Sequence, residues 1–196
     1  MTDSEQTATR SSGENLTGHF LIAMPSLDDG FFNHAVTYIC EHDDNSCFGI
    51  IINQDTTITL DQIVEQMDIE CSDHINRKHP VFIGGPVDQG RGFLLNRPVG
   101  NWSSSLQVNA NGALTTSKDI LQALAKGQGP EDFLIALGYA GWSAGQLEEE
   151  MANNTWLNCP ADEQIIFHTP PEERWQAAAK LIGVDLSLLS NDTGHA

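Results

Sequence analysis

The chain has 196 residues, and 9 Lys and Arg against 27 Asp and Glu give a formal net charge of −18 at pH 7. An acidic surface repels nucleic-acid phosphates and anionic lipid, and the basic residues form no stripe, so we expect neither direct nucleic-acid binding nor membrane association. The length fits one domain whose core needs no metal or disulfide, and we expect no metal or cofactor.

Cysteine usage indicates a reducing compartment. None of the cysteines has the C-x-x-C spacing of zinc and redox motifs; they are Cys40, Cys47, Cys71 and Cys159. The N-terminal residues lack the apolar run of a signal peptide, and the longest apolar segments are too short to cross a bilayer. We therefore expect reduced thiols and a cytoplasmic protein.

The composition predicts three regions along the chain. Residues 1–15 are polar and are predicted to form a flexible tail. Residues 16–186 are predicted to form a single domain, and residues 187–196 a loose C-terminal tail.

The first half of the domain reads mainly as strands. A short apolar run from His19 to Met24 predicts a strand. Segments Ala35–His42 and Phe48–Asn53 are rich in Val, Ile, Tyr and Phe, and the turn formers between them predict a hairpin. Thr59 is placed to cap a helix over residues 60–67.

The second half mixes short strands with helices. Strands are predicted at 81–83, 93–95, 106–108 and 113–115, the last two as a hairpin. Ser117 caps a predicted helix, and the continuous apolar segment Phe133–Leu137 predicts a central strand. A further strand is predicted over Gln164–Phe167, and a last helix runs past Trp175 to Gly183.

These elements predict a single compact α+β domain. Within it, Gly49–Asn53 is similar to Gly92–Asn96. This similarity suggests the hypothesis that an ancient, since diverged duplication produced two intertwined halves.

The segment Gly138–Glu148 is the most unusual stretch of the sequence. It follows the predicted central strand and precedes a predicted helix, for which Ser143 and Gln146 form a capping box. Glycines at such a junction allow the backbone to approach a ligand, and a helix N-terminus suits an anion. The alternative is a tight structural turn against which Tyr139 and Trp142 pack.

The same segment contains Gly141-x-Ser143-x-Gly145, which fits the Gly-x-Ser-x-Gly pattern of hydrolases. Asp162 and then His168 follow in the order that such enzymes require, although they lie very close in sequence. We favour a capping role for Ser143 and assign no catalytic residue.

Two further segments are candidates. In a strand, Cys40 and His42 share a face, which could activate a thiolate, but residues two apart on a strand diverge. A buried cysteine beside a hydrogen-bonded histidine is the alternative. The run Gly84–Asp88 has two glycines before a proline, which indicates unusual backbone angles that line a pocket or form a structural turn.

Together these segments resemble the YqgE/AlgH family, in family order over nearly all of residues 16–186. The matching pieces are Phe20–Pro25, Asp29 with Phe32, Tyr38–His42, Gly49–Asn53, Gly84–Val87, Gly138–Glu148, Trp156-Leu157, and Trp175 ahead of Gly183. The resemblance implies a mixed β-sheet flanked by helices, a bacterial cytosolic setting and a regulatory role. It implies no reaction, ligand or catalytic residue.

We therefore predict a non-enzymatic binding or regulatory protein that acts through an unidentified protein partner. The alternative is a small-molecule or nucleotide-binding protein, or an enzyme, that uses Gly138–Glu148 and Gly84–Asp88. The candidate binding residues are Glu41, His42, Asn53, Gly84, Gly85, Pro86, Tyr139, Gly141, Trp142, Gln146 and Glu148. Convergence of the two glycine-rich segments on one pocket would favour the alternative, whereas separate filled turns would favour the first reading.

Overall fold

The computed structural model describes residues 15–72 and 76–189. Its strands are β1 (His19–Ala23), β2 (Val36–His42), β3 (Ser46–Ile51), β4 (Asp55–Thr59), β5 (Pro80–Ile83), β6 (Val87–Arg97), β7 (Ser105–Gln107), β8 (Ala113–Thr115), β9 (Asp132–Ser143) and β10 (Trp156–Pro160). Its helices are α1 (Leu60–Gln66), α2 (Lys118–Ala125), α3 (Gln146–Ala152), α4 (Glu163–Phe167), α5 (Pro171–Leu181) and α6 (Leu186–Leu189). The predicted tails lie outside the described residues, except for Asn15 and for residues 187–189, which belong to α6.

The strands form one sheet with the order β10-β1-β2-β3-β9-β6-β8-β7, and β5 joins it by pairing with both β4 and β9. Every pairing is antiparallel except that of β5 with β9, which is parallel. The predicted α+β class with a mixed sheet is therefore confirmed.

Strand β9 is shared by the two parts of the sheet. Its last residues, Ala140–Ser143, pair with β3, whereas residues 135–137 pair with β5, and residues 132–137 and Tyr139 pair with β6. The strand predicted to be central is central, but it extends six residues beyond the predicted end at Leu137. The two similar segments, Gly49–Asn53 and Gly92–Asn96, belong largely to β3 and β6 on opposite sides of β9. The duplication itself stays a hypothesis.

The core follows from the strand period of two. Along β1, Phe20 and Ile22 pack in one hydrophobic cluster, and Leu21 and Ala23 pack in another on the opposite face. A third cluster lies where α1 and α2 cover β5, β6 and β9, with α1 capped by Thr59 as predicted.

The prediction of a strand over Gln164–Phe167 is wrong, because these residues belong to helix α4. The side chain of Asp162 accepts a hydrogen bond from the Gln164 N–H at 2.7 Å, which caps the helix. Short apolar runs are compatible with either a strand or a helix, and here the Asp162 cap favours the helix. Strands β4 and β10 were not expected, since their sequences alternate weakly and β10 ends in proline.

Candidate functional site

The two glycine-rich segments meet, but they meet backbone to backbone. A Cβ on Gly84 would lie 2.2 Å from the carbonyl oxygen of Gly138, and one on Gly85 would lie 2.1 Å from the carbonyl carbon of Tyr139. Gly138 itself has φ of 74°, a conformation that favours glycine. Convergence is thus present, but the point of contact is filled by main chain and leaves no room for a ligand.

Beyond this crossing, the predicted loop is strand. Strand β9 runs to Ser143, and Gly145, with φ of 77°, occupies the N-cap position of α3. The predicted N-cap role of Ser143 is therefore wrong. The N-cap of the helix lies two residues later, where the left-handed backbone conformation favours glycine. One half of the predicted capping box remains, since the Ser143 N–H donates to Gln146 Oε1 at 3.1 Å.

The end of β9 borders a large open cleft with a cavity volume of about 820 Å³. Its floor is aromatic: the Tyr139 ring packs edge-on against Phe48 at 6.0 Å and against Phe93 at 5.7 Å between ring centroids. Its rim is polar and includes Ser46, Ser104, Ser105 and Ser143. A concave apolar surface with a few polar groups at its edge is typical of a binding site.

The cleft is unusual for so acidic a chain. Among the described residues that line it, Arg91 carries the one side-chain charge, and its guanidinium lies 5.2 Å from the Phe93 ring centroid. Burial raises the pKa of the Cys47 thiol, which also lines the cleft, to about 12, and the nearby Glu148 charge adds to the rise. Cys47 is therefore a neutral thiol at physiological pH and not an activated nucleophile.

The cleft contains some of the sequence-predicted site residues. Tyr139, Gly141 and Trp142 line it, and Val87 brings the second glycine-rich segment to its edge. The other predicted binding residues are not among its lining; Gly84 and Gly85 are buried in the backbone crossing, whereas Glu41 and Pro86 are exposed.

His42 and Glu148 form a pair that is not part of the cleft lining but lies next to it, since His42 is the cross-strand partner of Cys47. The buried His42 accepts a hydrogen bond at Nδ1 from the Leu16 N–H at 3.0 Å, so Nε2 carries the proton and donates to Glu148 Oε1 at 3.0 Å. The pair ties the N-terminal segment, β2 and α3 together.

The Cys40–His42 nucleophile is not formed. The pairing of β2 with β3 shifts register between Ile39 and Glu41, so the regular alternation that would place Cys40 and His42 on one face is broken. Cys40 donates to the Tyr38 carbonyl at 3.6 Å, and burial raises the pKa of its thiol far above the ordinary value. It is a buried core residue.

Asn53 has a structural role. Its Oδ1 accepts from the Val36 N–H at 2.8 Å, and its Nδ2 donates to the His34 carbonyl at 2.8 Å. The side chain thereby holds the loop that enters β2 against the end of β3.

A tryptophan pair joined by one carboxylate was missed by sequence reasoning. Glu150 Oε2 accepts from the indole N–H of Trp142 at 2.9 Å and from that of Trp156 at 2.8 Å. Phe32 packs against both indoles, and Gln146 donates to the other Glu150 oxygen. The spacing of four residues between Gln146 and Glu150 could have predicted their contact on one helical face. No sequence pattern connects Trp156 to either of them.

The hydrolase alternative does not assemble. Asp162 caps α4, and His168 Nε2 lies 3.4 Å from Asp132 Oδ1, at the first residue of β9. Ser143 is the last residue of that 12-residue strand, on the order of 30 Å away at ordinary strand rise.

Across residues 15–72 and 76–189, no three His, Cys, Asp or Glu side chains are grouped to hold a metal ion. In the same part of the chain, no helix is both long and apolar enough to span a membrane.

Comparisons with known proteins agree with the resemblance seen in the sequence. A family model described as AlgH-like matches residues 20–187. A UPF0301 protein of Thioalkalivibrio sulfidiphilus is 57% identical over 185 residues, which cover 94% of this chain and 99% of that protein. The solution structure of the AlgH protein from Pseudomonas aeruginosa is 43% identical with a TM-score of 0.76, and all of both chains is covered.

A crystal structure of a protein from Corynebacterium diphtheriae shares the fold, with a TM-score of 0.72 at 19% identity over 93% of this chain and 95% of that one. The matching segments of the sequence, the mixed sheet and these relatives agree. The chain belongs to the AlgH-like family, the YqgE/AlgH family that its sequence resembles.

Proposed function

We propose that this protein is a non-enzymatic binding protein that acts through contact with a protein partner, and that the aromatic cleft receives that partner. The observation that carries the proposal is the lining of the cleft, which combines an aromatic floor and a serine rim with no carboxylate among the described residues. Interface cores are depleted of charge and enriched in aromatic side chains, and such pockets anchor apolar side chains of a partner.

The charge around the cleft favours a basic partner. Asp43 and Asp44 directly precede Asn45, which lines the cleft, and Asp88 directly follows Val87, which also lines it. The net charge of −18 would steer positively charged surfaces toward the protein. We expect the bound segment to present an aromatic or long apolar residue flanked by Lys or Arg.

The reactive groups in and near the cleft support a binding role over catalysis. Cys47 is held as a neutral thiol by burial, and Ser143 lies far from His168. A nucleophile needs a lowered pKa or a base that can take its proton. The pKa of Cys47 is raised, and His42, its cross-strand neighbour, is bound to the Leu16 N–H through Nδ1 and to Glu148 through Nε2.

We further propose a cytoplasmic protein with a regulatory role exerted through protein contacts. All four cysteines are free, as expected in a reducing compartment. The link to regulation is the AlgH name of the 43% identical relative and the regulatory role that the family resemblance implies. Because the chain is strongly acidic, we expect it to act on other proteins and not on nucleic acid directly.

A small planar anion is the second candidate for the cleft. Arg91 beside the Phe93 ring suits a ring that carries a phosphate or carboxylate, as a nucleotide does. The volume of about 820 Å³ lies within the range of small-molecule sites.

Selection of peptides from a displayed library on the immobilised protein tests the proposal. Enriched peptides should carry an aromatic or long apolar residue beside basic ones. Their affinity should fall about tenfold or more in Ser143→Trp, which fills the exposed end of the cleft. It should stay within about twofold in Gln176→Trp, a matched change at an exposed position of α5.

The two candidates separate by ligand and by variant. If AMP binds to the wild type, competes with the peptides and is lost in Arg91→Gln, the small-molecule reading replaces the peptide reading. If neither peptide nor nucleotide responds to Ser143→Trp, the cleft is not the binding surface.

A further inference from the structure

A second pocket lies apart from the cleft, between helices α4 and α5 and the strands β5 and β9. Its cavity volume is about 250 Å³, below the roughly 300–1,000 Å³ of sites for drug-sized ligands. Most of its wall is apolar and includes Phe82, Phe133 and Phe167. Its charged or titratable lining residues among those described are all basic; they are His79, His168 and Arg174.

Arg174 is the central feature of this pocket, because it is only 5% exposed and has no ion-pair partner among the described residues. Its Nε donates to the Thr169 carbonyl at 2.9 Å, Nη1 donates to the Ile52 carbonyl, and the Phe82 ring lies 5.1 Å away. These two bonds use two of the five guanidinium N–H donors. A buried cation without a counter-ion is unfavourable, even with carbonyl partners.

His79 is a second basic group in the lining of this pocket. Its ring stacks on Phe133 at 4.2 Å between centroids, and burial together with the charge of Arg174 lowers its pKa. Protonation of His79 is therefore disfavoured while Arg174 lacks a counter-ion. An anion bound to Arg174 would supply that counter-ion and would favour the protonated ring of His79.

Two nearby carboxylates form ion pairs with other basic groups. Asp132 binds Arg97 at 2.5 Å and lies 3.4 Å from His168 Nε2, and Glu163 binds the same Arg97. Arg97 thus offsets the charges of these two acidic groups, and neither is paired with Arg174. The exposed Glu172 acts on Arg174 only through its charge at longer range, and burial still lowers the pKa of the guanidinium to about 10.

We propose that this pocket binds a small organic monocarboxylate, with the carboxylate on Arg174 and an apolar body against the phenylalanine wall. One fixed positive charge matches one carboxylate, and the small volume limits the body to a short branched chain or a single ring. The apolar wall disfavours a strongly hydrated dianion such as inorganic phosphate.

Binding of benzoate to the full chain, followed by NMR of the His79 ring, tests this proposal without any variant. Benzoate should shift the His79 signals and raise the pKa of its imidazole, since a negative charge stabilises the protonated ring. Benzamide has nearly the same shape without the charge, and its affinity should be lower by about tenfold or more. Inorganic phosphate should also bind more weakly than benzoate.

Variants complete the experiment. Arg174→Gln should weaken benzoate about tenfold or more, whereas Lys126→Gln, which removes one exposed positive charge, should stay within about twofold. Equal binding of benzoate and benzamide, stronger binding of phosphate, shifts confined to the aromatic cleft, or no saturable binding below about 10 mM would each overturn the proposal. The wild-type comparison decides the matter if Arg174→Gln does not fold.

Discussion

Gly84 and Gly138 lie so close together that a Cβ on Gly84 would be 2.2 Å from the Gly138 carbonyl oxygen. The same point connects three strands, because the Gly84 N–H donates to the Leu137 carbonyl and its own carbonyl accepts from the Ile51 N–H, both at 2.8 Å. The glycines of both segments therefore serve close backbone packing. Tyr139, the residue after Gly138 in β9, lines the cleft.

Replacement of Gly84 tests this crossing. In Gly84→Ala the new methyl group meets main chain that cannot rotate away, so we expect a loss of about 3 kcal/mol or more in the free energy of unfolding. Gly90→Ala is the matched control, because nothing lies within 4 Å of its Cβ position, and it should change stability by about 0.5 kcal/mol or less. Urea unfolding measures both, and equal losses would refute the packing role.

The tryptophan pair gives a second prediction. Glu150→Ala removes the acceptor of two buried indole N–H groups, so the free energy of unfolding should fall by about 2 kcal/mol. Glu65→Ala makes the same change on the exposed side of α1 and should cost about 0.5 kcal/mol or less. Trp fluorescence during urea unfolding reports both; indistinguishable midpoints would show that the Glu150 contacts add no stability.

Thiol reactivity gives a third prediction. Cys40, Cys47 and Cys159 are buried, and burial raises the pKa of each thiol, so all three should be inert in the native protein. Cys71 is half-exposed and should react. Titration with a disulfide reagent should find one reactive thiol in native protein and four after denaturation. Rapid native reaction of a second thiol, lost in Cys47→Ser, would contradict the neutral state assigned to Cys47.

The lowered pKa of His79 predicts a stability change on acidification. Burial is the main cause and the Arg174 charge a smaller one, so the folded protein binds this proton less readily than the unfolded chain. Above the unfolded pKa of about 6.5 neither state is protonated and the group contributes nothing. As the pH falls below that value the unfolded chain binds the proton first, and stability is lost until the pH passes the folded pKa.

His79→Gln should therefore lose less stability than the wild type between about pH 7.5 and pH 5.5. Lys126→Gln removes one exposed charge and leaves His79 itself unchanged, so it should follow the wild type. Urea midpoints at several pH values measure how stability changes with pH. Identical pH dependence for His79→Gln and the wild type would show that His79 does not cause the loss of stability on acidification.

Local signals in the sequence were sufficient for much of the fold. The β2–β3 hairpin depends on the polar turn after His42, and α1 begins at a capping box of Thr59 and Gln62, both readable within a few residues. The end of β9 was not readable in this way. Gly138 looks like a turn by itself and has a left-handed backbone conformation, but contact with Gly84 and the pairing of the following residues with β3 continue the strand beyond it.

The cleft could be predicted only in part. Tyr139 and Trp142 were found because their segment is unusual, but Phe48, Phe93 and Arg91 come from β3 and β6 and meet them only in the folded sheet. The pairing of His42 with Glu148 spans 106 positions and joins two residues that were each selected for other reasons. Contacts between distant strands depend on register, which a single sequence does not specify.

Chemical-shift mapping with a selected peptide tests the binding role of the cleft most directly. Titration of the ¹⁵N-labelled full chain should produce its largest amide shifts at Phe48, Phe93, Leu106 and Tyr139, and these shifts should disappear in Ser143→Trp but persist in Gln176→Trp. Shifts centred on α5 or the α6 surface instead, unchanged by Ser143→Trp, would contradict the claim that the cleft binds the partner.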